Sequence, residues 1–179
     1  MILVLAALVC VVSVPLRGGR LSRLGLIDVR HGWVAIAALA LQVLIITVAP
    51  GGSELLHAAV YLATYALAGL FLWGNRRLPG ARLLAAGAVS NALVIAANGG
   101  VMPAAASAQR LAGLRTGSGF QNSAHVAHAH LLWLGDIIPV PGPAPLGNVL
   151  SVGDLVIFAG LWVLLHSVCS GRVADPAPA

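Results

Sequence analysis

Lysine is missing from this 179-residue sequence, and its ten arginines are accompanied by only five acidic residues. Charged residues amount to 8% of the chain, against about 25% in an ordinary soluble domain. Such a surface cannot be mostly water-facing, which disfavours the soluble fold classes from the outset. Cysteine is scarce too. Cys10 and Cys169 stand at opposite ends of the chain, each in or beside an apolar run. A disulfide framework and a CxxC motif are therefore excluded, and buried, inert thiols are expected. No Walker loop, dinucleotide fingerprint, haem motif or nucleophile triad is present, so no cofactor is expected and the well-marked enzyme classes are disfavoured. The net charge of +5 would suit nucleic acid only if the arginines shared a folded face. They sit instead in short loops beside apolar runs, where the positive-inside rule accounts for them. No nucleic-acid partner is expected. Arginine without lysine, with abundant Ala, Gly and Pro, suggests a GC-rich bacterial genome.

What is present is apolar sequence: 59% hydrophobic residues and a mean hydropathy of +0.95. The runs fall at residues 1–16, 33–48, 53–73, 83–97 and 149–168. They predict an all-α integral membrane bundle of about five transmembrane helices, a single transmembrane domain over residues 1–170, and a disordered tail at 171–179. The lipid bilayer is then the first partner. The first run carries no preceding positive charge, as a signal peptide would. Arg17, Arg20, Arg23 and Arg30 follow it, so it reads as a retained helix, short for a span of about 20 residues. Arg76, Arg77, Arg82 and Arg172 fall on the same side if there are five spans. This predicts a bacterial plasma-membrane protein with its N-terminus outside and its C-terminus cytoplasmic.

The spans carry a few polar groups. Trp33 suits an interfacial anchor, and Gln42 suits a helix-to-helix hydrogen bond. Ser53 can cap the third helix, with Glu54 at its positive end. Glu54, His57, Tyr61 and Thr64 or Tyr65 follow helical spacing and form one polar stripe, which in lipid turns inward or lines a wet cavity. In the fourth helix Ala85, Ala88, Ala92 and Ala96 would permit close helix approach, while Gly87, Asn91 and Asn98 share another face.

Residues 98–154 organise the chain. Asn98-Gly99-Gly100 ends the fourth helix, glycine supplying a left-handed cap, and Pro103 suits the first position of a short helix over 103–114. Ser123 can cap a further short helix over 124–134 carrying His125, His128 and His130. His125 and His128 share a face and are weak metal candidates, without the zincin spacing. The prolines forbid a helix over 135–143, which must be extended. Together these pieces make a long outward-facing loop of short helices and an extended Pro-rich segment. Ser151-Val152-Gly153-Asp154 matches a capping box, a full structural account of Asp154. The rival reading pairs Asp154 with Asp136, since two carboxylates at one site can hold a cation, guide a proton or serve acid-base chemistry. Asn98 and Asn122 would complete the cluster.

Three motifs carry a resemblance: Asn98-Gly99-Gly100-x-Met102-Pro103, Leu134-Gly135-Asp136-x-Ile138-Pro139 and Ser151-x-Gly153-Asp154. With the early segment Arg17-Gly18-Gly19-Arg20-Leu21-Ser22-Arg23-Leu24, they resemble a bacterial polytopic membrane family, domain of unknown function 5317, over nearly the whole chain. The resemblance implies a fold and a membrane location and brings no activity. Three functions stay open. One is a small-solute or cation binding or permeation module, using Asn98, Asp136, Asp154, Asn122, Glu54, His57 and Tyr61 under an outer polar cap. Another is a structural or assembly partner in a membrane complex. The last is a membrane enzyme using the Asp136–Asp154 pair, disfavoured because the Gly-x-Gly-Asp of intramembrane proteases lacks its first glycine here.

Overall fold

The computed structural model describes residues 2–48, 54–114, 123–124, 128–142 and 147–171, with side chains over 5–41, 58–114, 128–142 and 147–171. Helices dominate. The apolar runs become α1 (Ile2–Leu16), α2 (Gly32–Val48), α3 (Glu54–Gly74), α4 (Ala81–Ala97) and α6 (Val152–Cys169), with a six-residue α5 (Ala106–Leu111) between the last two. Glycine or arginine stands at several of their ends. Gly80 adopts a left-handed conformation at the N-cap of α4, and Gly99 and Gly100 do so beyond its C-terminus. Any other residue would be strained at these positive-φ positions.

Neighbouring helices pack in the order α2, α3, α4, α6, α1, so α4 is central. Its seam with α6 is built from glycines seven residues apart on each helix, Gly80 and Gly87 against Gly160 and Gly153 in antiparallel sense. A methyl on Gly87 would stand 2.5 Å from the Gly153 carbonyl oxygen and 2.9 Å from the Ile157 nitrogen. Glycine therefore lets the two backbones touch. The alanine face does not make this contact, contrary to expectation: Ala85, Ala88 and Ala92 line an open groove toward α3, and Ala96 is exposed.

The arginine loops lie at one end. Asn75, buried after α3, joins them: its amide donates to the Arg30 carbonyl (2.9 Å) and its oxygen accepts from the Arg30 amide (2.9 Å). Arg23 reaches the last carbonyl of α6, on Cys169, at 3.1 Å, a cation at a negative helix end. Cys10 and Cys169, distant in sequence, share one buried cluster with Val14 and Leu165.

Several expected elements differ. The fold is mostly helical rather than all-α. Residues 136–140, expected to be extended, form a strand paired antiparallel with residues 148–151. The last helix consequently starts at Val152, since 148–151 are drawn into that ladder. Met102–Pro103 is β1, paired in parallel with Ser123–Ala124 (β2); the hairpin strands are β3 (Asp136–Val140) and β4 (Asn148–Ser151). Pro103 is thus a buried strand residue and not a helix start, because Met102 beside it packs onto Val94 and Ile95. The helix expected over 124–134 is absent where it is described. Residues 128, 130 and 131 are turns, and Leu131, at φ 54°, precedes a 3-10 turn over Leu132–Leu134. Ser53, the side chain of Gln42, the histidine at 125 and the tail beyond 171 lie outside the described residues.

By length and composition, one helix among the described residues can cross a membrane, α6, with 18 residues and 28% of them buried. Five spans are not supported on that criterion. Shorter apolar stretches occupy Leu5–Leu16, Gly32–Leu41, Ala58–Gly74 and Ala81–Ala97.

Candidate functional site

The three sequence motifs converge on the C-terminal half of α4. Asn91, buried inside the α4–α6 seam, is the hub. Its amide nitrogen donates to Asp154 Oδ1 (2.9 Å), and its oxygen accepts from the Ser151 hydroxyl (2.9 Å). The capping box at the start of α6 is formed. Ser151 Oγ accepts from the Asp154 amide (3.0 Å), and Asp154 Oδ2 accepts from the Ser151 amide (3.0 Å). Gly153 exists for the same contact, because a methyl there would collide with the Asn91 side chain.

Asp136 is 4% exposed and lies opposite Ser151 in the β3–β4 register. Its carbonyl accepts from the Ala105 amide (3.0 Å), and Asp136 itself bridges in parallel to Ala104. Gly135 is needed there: a methyl would stand 2.5 Å from the Pro103 carbonyl oxygen. The first motif is thereby locked to the second, and the second to the third.

From α3, Tyr65 reaches into the same place. It is a side-chain hydrogen-bond partner of Asn91 and lies within electrostatic reach of Tyr61, Asp154 and Asp136. Tyr61 and Tyr65 meet edge to face at 5.7 Å. Thr64, buried, returns its hydroxyl to the Tyr61 carbonyl at 2.7 Å. The cluster therefore comprises Tyr61, Tyr65, Asn91, Asp136, Ser151 and Asp154.

The expected site residues separate into three groups. Tyr61, Asp136 and Asp154 are brought together. Asn98 is placed elsewhere: its amide donates to the Val94 carbonyl (2.7 Å) and the His130 carbonyl (2.8 Å), and its oxygen accepts from the His130 amide (2.8 Å). Both of its N–H groups and its oxygen are thus spent on backbone, and its work is to clamp the cap to the end of α4. Asn122 and the side chains of Glu54, His57 and His125 lie outside the described residues. His128 is exposed, and among the described residues no group of three or more His, Cys, Asp or Glu side chains is placed to hold a metal.

In the sequence Asn91 and Tyr65 stand out only as members of a face and a stripe; their signal is polarity inside otherwise apolar helices. A second polar contact had no sequence signal, because it joins residues 153 positions apart. Ser13 Oγ lies 2.9 Å from His166 Nε2, with Trp162 stacked on the imidazole at 4.2 Å and Arg17 over Trp162 at 5.7 Å. A Ser–His pair invites a nucleophile reading. The serine proton, however, is given to the Cys10 carbonyl at 2.7 Å. Nε2 must then donate to Oγ, which is a helix clamp and not an activated nucleophile.

The chain belongs to a family of unknown function, DUF5317, whose model matches residues 26–166. An uncharacterized protein of Thermotoga maritima (strain MSB8) is 37% identical over 93 residues, covering 52% of this chain and 54% of that protein. The chain thus spans about half the length of the curated relative it matches. No solved structure matches.

Proposed function

From membership of a family without an assigned activity, we propose that this is a multi-pass protein of the bacterial plasma membrane that binds a small solute or a cation in the polar cluster beneath its cap. The N-terminus would lie outside and the C-terminus in the cytoplasm. In support of the membrane setting, large apolar side chains cover the outer helix faces: Leu8 is 53% exposed, Ile36 70%, Leu70 68% and Leu93 56%. A helix of 17 residues is about 26 Å long, close to a bilayer core of about 30 Å. The arginine loops joined by Asn75 at one end agree with a cytoplasmic face there.

The observation that carries the binding role is the placement of Asp154 on Asn91 and of Asp136 opposite Ser151, itself bonded to Asn91, with Tyr65 beside them between apolar helices. Carboxylates and a phenol held together in such surroundings offer oxygen ligands to a cation or hydrogen bonds to a small polar solute. An Asp-pair enzyme is less well supported. Both Asp154 oxygens are committed as acceptors, one to the Asn91 amide and one to the Ser151 backbone amide of the capping box.

The test is saturable stabilisation of the detergent-purified protein by Na⁺, K⁺, Mg²⁺ or Ca²⁺, or by small polar solutes. A ligand at 100 times its Kd adds about 2.7 kcal/mol. Asp136→Asn should abolish that gain. No saturable gain with any of these probes, or an equal gain in Asp136→Asn, would refute the binding role. Reporter fusions at the C-terminus test orientation: a cytoplasmic fluorescent reporter should be active and a periplasmic phosphatase inactive.

A second reading, the assembly partner, is favoured by the exposed Leu131, Leu132 and Trp133 on the cap, with Trp133 65% exposed. It predicts that Trp133→Ser releases a co-purifying membrane protein while leaving ligand stabilisation intact.

A further inference from the structure

The groove between α3 and α4 lies on the opposite side of α4 from its glycine seam. Its volume is about 890 Å³, within the range of a small-molecule site. The walls are almost wholly apolar, formed by Leu62, Ala66, Gly69 and Leu72 on α3 and by Ala85, Ala88 and Val89 on α4 among others. Polarity enters at the two ends. Tyr65 stands at one, and Arg76 and Arg82 stand at the other, beside Trp73.

The arginine end is organised. Arg76 lies over the Trp73 indole at 5.1 Å and donates to the Trp73 carbonyl at 3.1 Å, which holds its side chain at the groove mouth. Arg82 is exposed on the first turn of α4. Among the described residues neither is joined to a carboxylate. Two guanidinium groups at the end of a long apolar trough complement an anion that carries a hydrocarbon tail. Guanidinium forks match phosphate oxygens, and basic pockets between membrane helices on the cytoplasmic side are suited to anionic headgroups.

We propose that this groove binds an anionic phospholipid, with one acyl chain along α3 and α4 and the phosphate between Arg76 and Arg82. The inference rests on the membrane setting proposed above but not on the polar cluster. Its residues are distinct from Asp136 and Asp154, so the two proposals fail separately. A protein helix is a weaker occupant, because two unneutralised arginines would have to be covered as it docked.

The experiment is native mass spectrometry of the detergent-purified protein with phosphatidylglycerol, phosphatidylcholine and tail-less glycerol phosphate. Phosphatidylglycerol should be retained at least tenfold better than phosphatidylcholine, and glycerol phosphate should not be retained. The double variant Arg76→Gln, Arg82→Gln should remove the preference for phosphatidylglycerol. Gly69→Leu fills the trough from a position whose added Cβ meets nothing within 4 Å, so the fold should survive. It should lower phosphatidylglycerol retention tenfold with both arginines in place. Equal retention of the two lipids, unchanged binding in either variant, or retention of glycerol phosphate alone would overturn the proposal. So would a dimer that Gly69→Leu splits without changing bound lipid, since the groove would then be a helix interface.

Discussion

Helix α4 has two small-residue faces, and they have opposite fates. On one, Gly80 and Gly87 press against Gly160 and Gly153 until backbone meets backbone. On the other, Ala85, Ala88 and Ala92 leave a groove beside α3. Small side chains alone therefore do not bring helices into contact. A glycine opposite a glycine removes both Cβ atoms at once, and the gain in dispersion contacts closes the gap. The alanine face looks across the groove at Leu62, Leu72 and Trp73, with no glycine pair of that kind.

The sharpest way to break this contrast is Gly87→Ala. The added methyl meets the backbone of Gly153 and Ile157, which cannot rotate away. Overpacking of this kind costs about 1–3 kcal/mol and sometimes more. A fall in melting temperature of the purified protein should report it, together with loss of the Asn91–Asp154 bond as the seam opens. Asn91→Ala should follow closely. It leaves the Ser151 hydroxyl and one Asp154 oxygen short of a partner in a buried place, at about 1–3 kcal/mol. Ser151→Ala should cost about 1 kcal/mol through the helix cap, and Ser151→Thr should restore most of it. The smallest effect should be Gly69→Ala on the groove side. There the methyl meets nothing, and the helix gains up to about 1 kcal/mol. Opposite signs at Gly87 and Gly69, from the same chemical change in two helices, would confirm the contrast. Loss of stability at both would refute it.

Much of the helical frame was legible in the chain. The apolar runs at 1–16 and 33–48 became Ile2–Leu16 and Gly32–Val48 almost residue for residue. Arg17 after the first and Gly32 at the start of the second mark two of those ends by local chemistry. The capping box at Ser151–Asp154 was legible for the same reason, since a cap is satisfied within four residues. The segment at 124–134 was not. Its local pattern suits a helix, but Asn98, 32 positions from His130, clamps the His130 backbone, and Leu131 turns left-handed beside it. The pairing of 136–140 with 148–151 and the Ser13–His166 clamp were hidden by the same separation. The seven-residue spacing of Gly80 with Gly87, and of Gly153 with Gly160, is present in the chain but masked by the more numerous alanines.

By itself, the sequence determined an apolar helical protein with arginine-rich loops, a proline-stiffened extended segment and a capped last helix. These are properties of periodicity, composition and contacts a few residues apart. Only the tertiary structure decided that Asn91 holds Asp154, that Asp136 lies opposite Ser151, and that one face of α4 closes while the other stays open. Each depends on the close approach of backbones far apart in the chain, and on what the facing helix presents at that point.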